Sequence, residues 1–465
     1  MEAERSTILP DDILLEILSG LGGARAIGRC RCVCKAWRAL VDAHGLLLLP
    51  RALSRDAFFP GFFANTVHFL DSGPLFLSPP STQLRLAPEV DKLGFLRPHL
   101  PFSSSRAAVR DSCNGLVLCF QGSAGFVCNP ATRRWARLPR PPTELPRDQD
   151  GLFLAFDPAV SPHYQVFLLP AAPAPKLLVT KKERDEKAVP VLVFSSEDGR
   201  WTRRVFSAGR CCPGHLYDRV TSPEVRARTW RSAAYRRGSL YVQSDSHVLL
   251  ALRCSEGTYD MVELPSVATT TGAAIGVMPA VPRGSIFLSP DPETGGVLRY
   301  ASVNECRVRV WRLREPTEDQ LEWTPTHDKD HEPHLYALAI QRLACGLRWT
   351  WPGPGQAEAG ACNSWDEAMD RGGVLDPEPD EERLQALGYK PGITPWSNTA
   401  ILGFHPSKEV IFYLTVSSLV VAYDLVSSKL RFLGYVALLD SRVEGVFPYR
   451  PCFVDALPPS SKLRA

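Results

Sequence analysis

Between Pro10 and Val41 the apolar residues recur at helical spacing. Ile13 and Ile17 lie four apart, and Leu14, Leu18 and Leu21 follow at i+4 and i+7, which gives one short helix a broad apolar face. Pro10 opens it, and Asp11 and Asp12 face the positive end of its dipole. Gly20, Gly22 and Gly23 stop it. A second helical turn or two covers 24–29. The spacing predicts a third helix carrying Val33, Trp37, Leu40 and Val41, closed by Gly45. Three helices this short cannot hide so much apolar surface by themselves. Burying each Leu or Ile fully is worth ~1.5–3 kcal/mol, so the remaining face calls for a cover. Either a groove on another protein or the rest of this chain would supply it.

The period then changes. Residues 49–104 are rich in Pro, Phe and Ser and read as a connector with one or two strands, near 66–70 and 75–77. From Arg106 onward short β-type runs separated by turn residues take over. They group as 115–120, 125–128 and 135–139; then 152–156, 165–169, 191–194 and 201–206; then 232–235, 239–243, 247–252 and 259–265; then 274–277, 285–288, 297–302 and 307–313; and finally 400–404, 410–416, 419–425 and 429–435. Trp135, Trp201, Tyr259 and Trp323 fall near the ends of successive groups, 66, 58 and 64 residues apart. Four-strand units on a loose period predict propeller blades, because a blade has two apolar faces that only stacking into a ring covers. A sandwich or two smaller β domains would use similar runs. The expected fold is therefore α+β and multidomain: three N-terminal helices (1–48), a connector that can belong to the first blade (49–104), and an all-β propeller of about six blades (105–457). The run 448–457 is expected to return and pair with the first blade, and 458–465 is a tail.

Composition narrows the function classes. The chain has 465 residues, of which 45% are hydrophobic and 22% charged, as in a soluble globular protein. Its net charge of +3 gives no strong field toward nucleic acid or an anionic membrane. The start lacks a basic and then apolar leader pattern, and the longest apolar run, 410–423, is too short to span a bilayer. Thirteen cysteines without Cys-x-x-Cys spacing fit reduced thiols, hence a cytoplasmic and/or nuclear setting. Of Cys30, Cys32 and Cys34 only the outer two share a helix face, which makes a poor zinc site.

Candidate chemistry is sparse. Motifs for phosphate cradling, a serine elbow or a zinc-binding helix do not occur. His327, His331 and His334, with Asp328 and Asp330, have ligand-like spacing. Lys329 and Pro333 nevertheless suggest a solvated loop, and no metal or cofactor is expected. Arg25, Arg29, Arg31, Lys35 and Arg38 crowd the second and third helices without a recognition face of the kind nucleic-acid binding needs. The segment 344–397 carries a run of acids from Asp366 to Glu382 and reads as a mobile insertion with a helix near 381–387. Residues 181–187 read as a surface loop of mixed charge.

The residues Leu9-Pro10-Asp11-Asp12-Ile13-Leu14-Leu15-Glu16-Ile17-Leu18, followed by Arg29-Cys30-Arg31-Cys32-Val33-Cys34-Lys35-Ala36-Trp37-Arg38-Ala39-Leu40, closely resemble the F-box. Gly20 and Gly22 stand where that family usually has Arg and Pro. Farther on, Ser112-Cys113-Asn114-Gly115-Leu116, Asn129-Pro130-Ala131-Thr132-Arg133, Gly238-Ser239-Leu240-Tyr241, Gly403-Phe404-His405-Pro406 and Tyr449-Arg450-Pro451-Cys452-Phe453-Val454-Asp455 resemble the plant-type F-box-associated, kelch-like propeller. The resemblance implies a non-catalytic substrate receptor of an SCF (Skp–cullin–F-box) ubiquitin ligase. It would bind the Skp-type adaptor, and through it cullin and RING subunits, and present an unknown target on the propeller. By the same match Leu9, Pro10, Ile13, Leu14, Ile17, Leu18, Val33, Cys34 and Trp37 would contact the adaptor or hold the helices in shape. A propeller enzyme of the kelch-oxidase or carbohydrate-acting kind and a non-degradative F-box scaffold are the alternatives.

Overall fold

The computed structural model describes residues 10–21, 24–31, 33–44, 46, 61–67, 74–81, 85–89, 93–99, 107–142, 151–170, 186–221, 230–265, 284–289, 296–304, 307–317, 320–331, 333, 335, 382, 400–405, 408–414, 419–435 and 442–458. Three helices come first: α1 (Asp11–Gly20), α2 (Ala24–Cys30) and α3 (Lys35–Ala43). Everything after them is built mainly on strands.

The strands β1 (Gly61–Val67), β2 (Leu75–Ser81) and β3 (Arg85–Glu89) make an antiparallel set. Four-strand meanders follow. The second blade is β4 (Ala108–Cys113), β5 (Leu116–Gln121), β6 (Ala124–Asn129) and β7 (Arg134–Leu138). The third is β8 (Leu152–Ala155), β9 (Gln165–Leu168), β10 (Val189–Ser195) and β11 (Arg200–Ala208). After the helix α4 (Gly214–Thr221) comes the fourth: β12 (Trp230–Arg236), β13 (Ser239–Ser244), β14 (Val248–Arg253) and β15 (Thr258–Glu263). The fifth is β16 (Gly284–Ser289), β17 (Val297–Asn304), β18 (Arg307–Thr317) and β19 (Gln320–Asp330). The sixth is β20 (Ala400–Phe404), β21 (Val410–Leu414), β22 (Leu419–Asp424) and β23 (Lys429–Tyr435). Finally β24 (Arg442–Tyr449) pairs antiparallel with β1, from Gly61 opposite Tyr449 to Val67 opposite Arg442. It completes the first blade as its innermost strand.

The inner strands β4, β8, β12, β16, β20 and β24 touch in that order, and β24 touches β4 again. The six sheets therefore close into a ring, the β-propeller expected from the strand runs. Apolar side chains between adjacent blades form its core. Phe153, Phe167 and Val191 of the third blade pack with Leu240, Leu250 and Tyr259 of the fourth, for example. Two outer strands also reach across to a neighbour. β11 runs parallel to β15 at Ser207–Thr258 and Ala208–Tyr259, and β23 meets β3 at Tyr435–Arg85.

Local sequence explains the tight turns. Asn114 and Gly115 both take positive φ (45° and 88°) between β4 and β5, and Arg237 and Gly238 (45° and 74°) repeat this between β12 and β13, the two-residue hairpin geometry that glycine favours. The periodic aromatics have a common place: Trp135, Trp201, Tyr259 and Trp323 all lie on the outermost strands β7, β11, β15 and β19.

Several expectations change. Residues 49–104, read as a connector with one or two strands, carry three. Their alternation is broken by Pro79, Pro80 and Pro88, which obscures a strand signal. The returning strand is β24, whereas 450–457 leaves the sheet. In the fifth blade β16 is the inner strand and β19, with Trp323, the outer one; the run 274–277 lies outside the described residues. His327 is on β19, with Nε2 2.5 Å from the Leu425 carbonyl oxygen, and His331 is buried with Nδ1 2.8 Å from the Tyr413 hydroxyl. The stretch from His327 to His331 is thus strand and core rather than a solvated loop, and His334 lies outside the described residues. Apart from Glu382, so does the insertion 344–397, and so do Lys181–Asp185.

Asp111 stitches the second blade to the third. Its carboxylate accepts from its neighbour's N–H (Ser112, 2.8 Å) and from the N–H of Leu154 on β8 (2.7 Å). Burial outweighs both hydrogen bonds and pushes its pKa up to about 7. In the unfolded chain this carboxyl ionises near its ordinary value, so from about pH 4 to about pH 7 the native state holds the extra proton and this group's contribution to stability falls as pH rises. Denaturant titrations across that range should show wild type losing stability relative to Asp111→Asn as pH increases; parallel pH curves for the two would contradict this. A Cβ at Gly115 would lie 2.3 Å from Cys452 Cβ and 2.6 Å from the Arg450 carbonyl oxygen. Gly115→Ala is expected to cost about 2–4 kcal/mol in urea unfolding, and an unchanged midpoint would refute the close approach.

Candidate functional site

The three N-terminal helices divide their apolar residues between two sides. Leu14, Leu18, Ile27, Val41 and Leu46 are buried together, with Leu15, Leu21, Cys30, Trp37 and Leu40 partly buried around them. Ile13 and Ile17 point the other way and remain 47% and 49% exposed, and Val33 is 63% exposed. Large aliphatic side chains so exposed, four apart on a helix, form the kind of face that another protein covers. Polar charge flanks it asymmetrically. Asp11, Asp12 and Glu16 are exposed on α1, while Arg29, Lys35 and Arg38 are exposed on or beside the other two helices.

The expected site residues fall into these two sets. Pro10 caps α1, and its carbonyl accepts the Leu14 N–H at 3.0 Å. Ile13, Ile17 and Val33 are on the outer face. Leu14 and Leu18 are inside the small core, so their contribution is to hold the helices. Cys34 is exposed and caps α3, its sulfur accepting the Trp37 N–H at 3.5 Å; the third helix thus begins after Val33, not at it. Trp37 leans on the core from its edge. Leu9 lies outside the described residues.

Sequence reading missed the far side of this helical corner. Arg31, just beyond α2, donates from Nε and Nη2 to the two carboxylate oxygens of Asp42 on α3 (2.6 and 2.9 Å) and also to Asp455. These hydrogen bonds, led by that to Asp42, hold the guanidinium above its ordinary pKa against the opposing cost of burial. Phe453 packs on the same small core. The recurrence of an aromatic and an acid at 453 and 455, within a stretch that resembles a family motif, was the available signal. Nothing local says which surface they meet.

The polar groups inside the ring are structural. Ser289 and Arg299 of the fifth blade both donate to the Glu409 carboxylate beside the sixth. The Gln243 side-chain amide donates to the Gly284 carbonyl and its oxygen accepts the Ile286 N–H, joining the fourth blade to the fifth. Among the described residues no three His, Cys, Asp or Glu side chains are grouped to hold a metal ion, and no helix is long and apolar enough to cross a membrane.

Comparison with known proteins bears on the helical corner most directly. Residues 7–47 match the family model described as F-box-like. The same region is 50% identical over 48 residues to the human F-box only protein 27, spanning 10% of this chain and 16% of that protein. Over 333 residues the chain is 24% identical to the F-box protein At5g49610 of Arabidopsis thaliana, covering 68% of this chain and 77% of that one. Among solved structures, the β-propeller domain of Cps50 (Swd1) from Myceliophteria thermophila is similar at a TM-score of 0.32 and 10% identity, over 80% of this chain and 88% of that one. The protein thus carries an F-box-like domain at its N-terminus, ahead of a closed six-bladed β ring.

Proposed function

We propose that this chain is a substrate receptor of an SCF-type ubiquitin ligase, working in the cytoplasm or nucleus. Its helical corner binds the Skp-type adaptor and, through it, the cullin and RING subunits. Its ring, of the plant F-box-associated and kelch-like kind, holds the target protein. The observation that carries this reading is the exposed Ile13–Ile17–Val33 face on a domain that matches the F-box-like family. A face of three aliphatic side chains is costly to leave in water and gains ~1.5–3 kcal/mol per residue when a partner buries it.

Topology supports the second half of the proposal. The hairpin turns β4–β5 and β6–β7 lie on the face of the ring nearest the helices, since Gly115 and Asn129 both meet Cys452 beside them. In a meander of this kind the connections from one blade to the next leave from the opposite face, where α4 lies between β11 and β12. Target and adaptor would then occupy opposite sides of one body. The chain contributes proximity, raising the local concentration of a target lysine near a charged conjugating enzyme, and no nucleophile of its own.

The test is co-purification with a recombinant Skp-type adaptor. Replacing Ile13 and Ile17 together by Asp should weaken binding at least about 100-fold, while the unfolding free energy stays within about 0.5 kcal/mol because both side chains are already exposed. Leu18→Ala should behave differently, costing about 2–5 kcal/mol of helical-corner stability through the cavity it leaves. Equal adaptor binding by wild type and the Ile13/Ile17 variant would sink the assignment.

A further inference from the structure

The segment after β24 does not simply end the fold. Extended backbone points successive side chains to opposite sides, and from Cys452 to Leu457 both sides are occupied. Cys452 and Leu457 are buried in the core between the second and third blades, beside Leu116 and Phe156. The Cys452 carbonyl accepts from the Asn129 side-chain amide at 2.8 Å, and the Leu457 carbonyl accepts from Arg134 at 3.3 Å. Phe453 faces away from the ring. It lies against Gly28 of α2, where a Cβ would come within 3.2 Å of its ring, and it joins the core formed by Leu18, Ile27 and Val41. Asp455 belongs to both bodies at once, pairing with Arg31 of the helical corner and, at 2.7 Å, with Arg134 of β7.

We infer that residues 451–457 act as a clasp that fixes the helical corner on the hairpin face of the ring. Phe453 and Asp455 are its positioning residues, and they hold the Ile13–Ile17–Val33 face at one orientation to the blades. The physical grounds are threefold. The helices bury few apolar side chains among themselves, so the added aromatic is a large part of their core. Gly28 allows a helix to approach that aromatic as closely as backbone permits. A single carboxylate shared by two arginines, one of them also held bidentately by Asp42, fixes direction as well as distance. Because the clasp follows directly on the strand that closes the ring, helical corner and ring closure are joined in one stretch of chain. This orientation is a property of the chain alone, independent of what covers the exposed face.

The experiment is a distance measurement between two nitroxides on the full-length chain without any adaptor. They would be attached through unnatural amino acids at Glu16 on α1 and Glu197 in the turn before β11, and read by pulsed electron–electron resonance. The otherwise native sequence should give one narrow distance. Phe453→Ala and Asp455→Ala should each widen the distribution at least about twofold, with hydrogen exchange in β12–β15 unchanged. Phe453→Leu, which keeps an apolar contact with α2, should stay near the native width. A narrow, unshifted distance in both alanine variants, or one already broad in the native sequence, would overturn the clasp; neither result bears on adaptor binding.

Discussion

Ring closure by the pairing of β24 with β1 is the constraint on which the rest depends. Each four-strand sheet has two apolar faces, and no sheet can cover both without a neighbour on each side. Five blades take their strands from consecutive sequence. The remaining one takes its innermost strand from residues 442–449 and its others from 61–89, so the chain must bring its distant parts together before any blade has both neighbours. Polar side chains then fix how blades meet. Asp111 reaches from the second blade to the third, Gln243 from the fourth to the fifth, and Glu409 ties the fifth to the sixth. Each satisfies backbone or charged groups at a seam where an unpaired one would be costly.

Closure also determines what becomes of the helices. Three helices of ten, seven and nine residues are too short to be stable as isolated segments, and their shared core is small. The segment following the closing strand supplies Phe453 to that core and Asp455 to Arg31. Both faces of the helical corner are then accounted for in physical terms. One is covered by the chain itself, and the other, with Ile13, Ile17 and Val33, is left exposed. A ring that presents its hairpin turns to the helices has its opposite side available for something else, which is the geometry a receptor bridging two proteins requires.

Much of this was legible along the chain. Helical spacing in 10–41 separates from two-residue alternation beyond 106, and the Asn-Gly and Arg-Gly turns at 114–115 and 237–238 mark hairpins through their positive φ. The four aromatics at a loose period fall on equivalent outer strands because a repeating unit puts the same need in the same place. Prolines at 79, 80 and 88 hid the first blade's strands. The histidines misled for a simple reason: charged neighbours such as Asp328 and Lys329 point outward from a strand whose other residues turn in, and His331 is buried just past its end.

The sequence by itself determined the parts: three short amphipathic helices, strand runs with their turns, and the motif at 9–40. These follow from periodicity and turn chemistry, which act over a few residues. Only the tertiary structure decided which of the apolar helix residues are core and which are surface. Ile13 and Leu14 are adjacent and chemically alike, and their fates differ because α2, α3 and Phe453 pack on one side of α1 alone. It likewise decided that 61–89 and 442–449 share one sheet and that Asp455 meets Arg31. Such contacts join residues far apart in the chain, and their energy comes from burial and charge pairing that no local window contains.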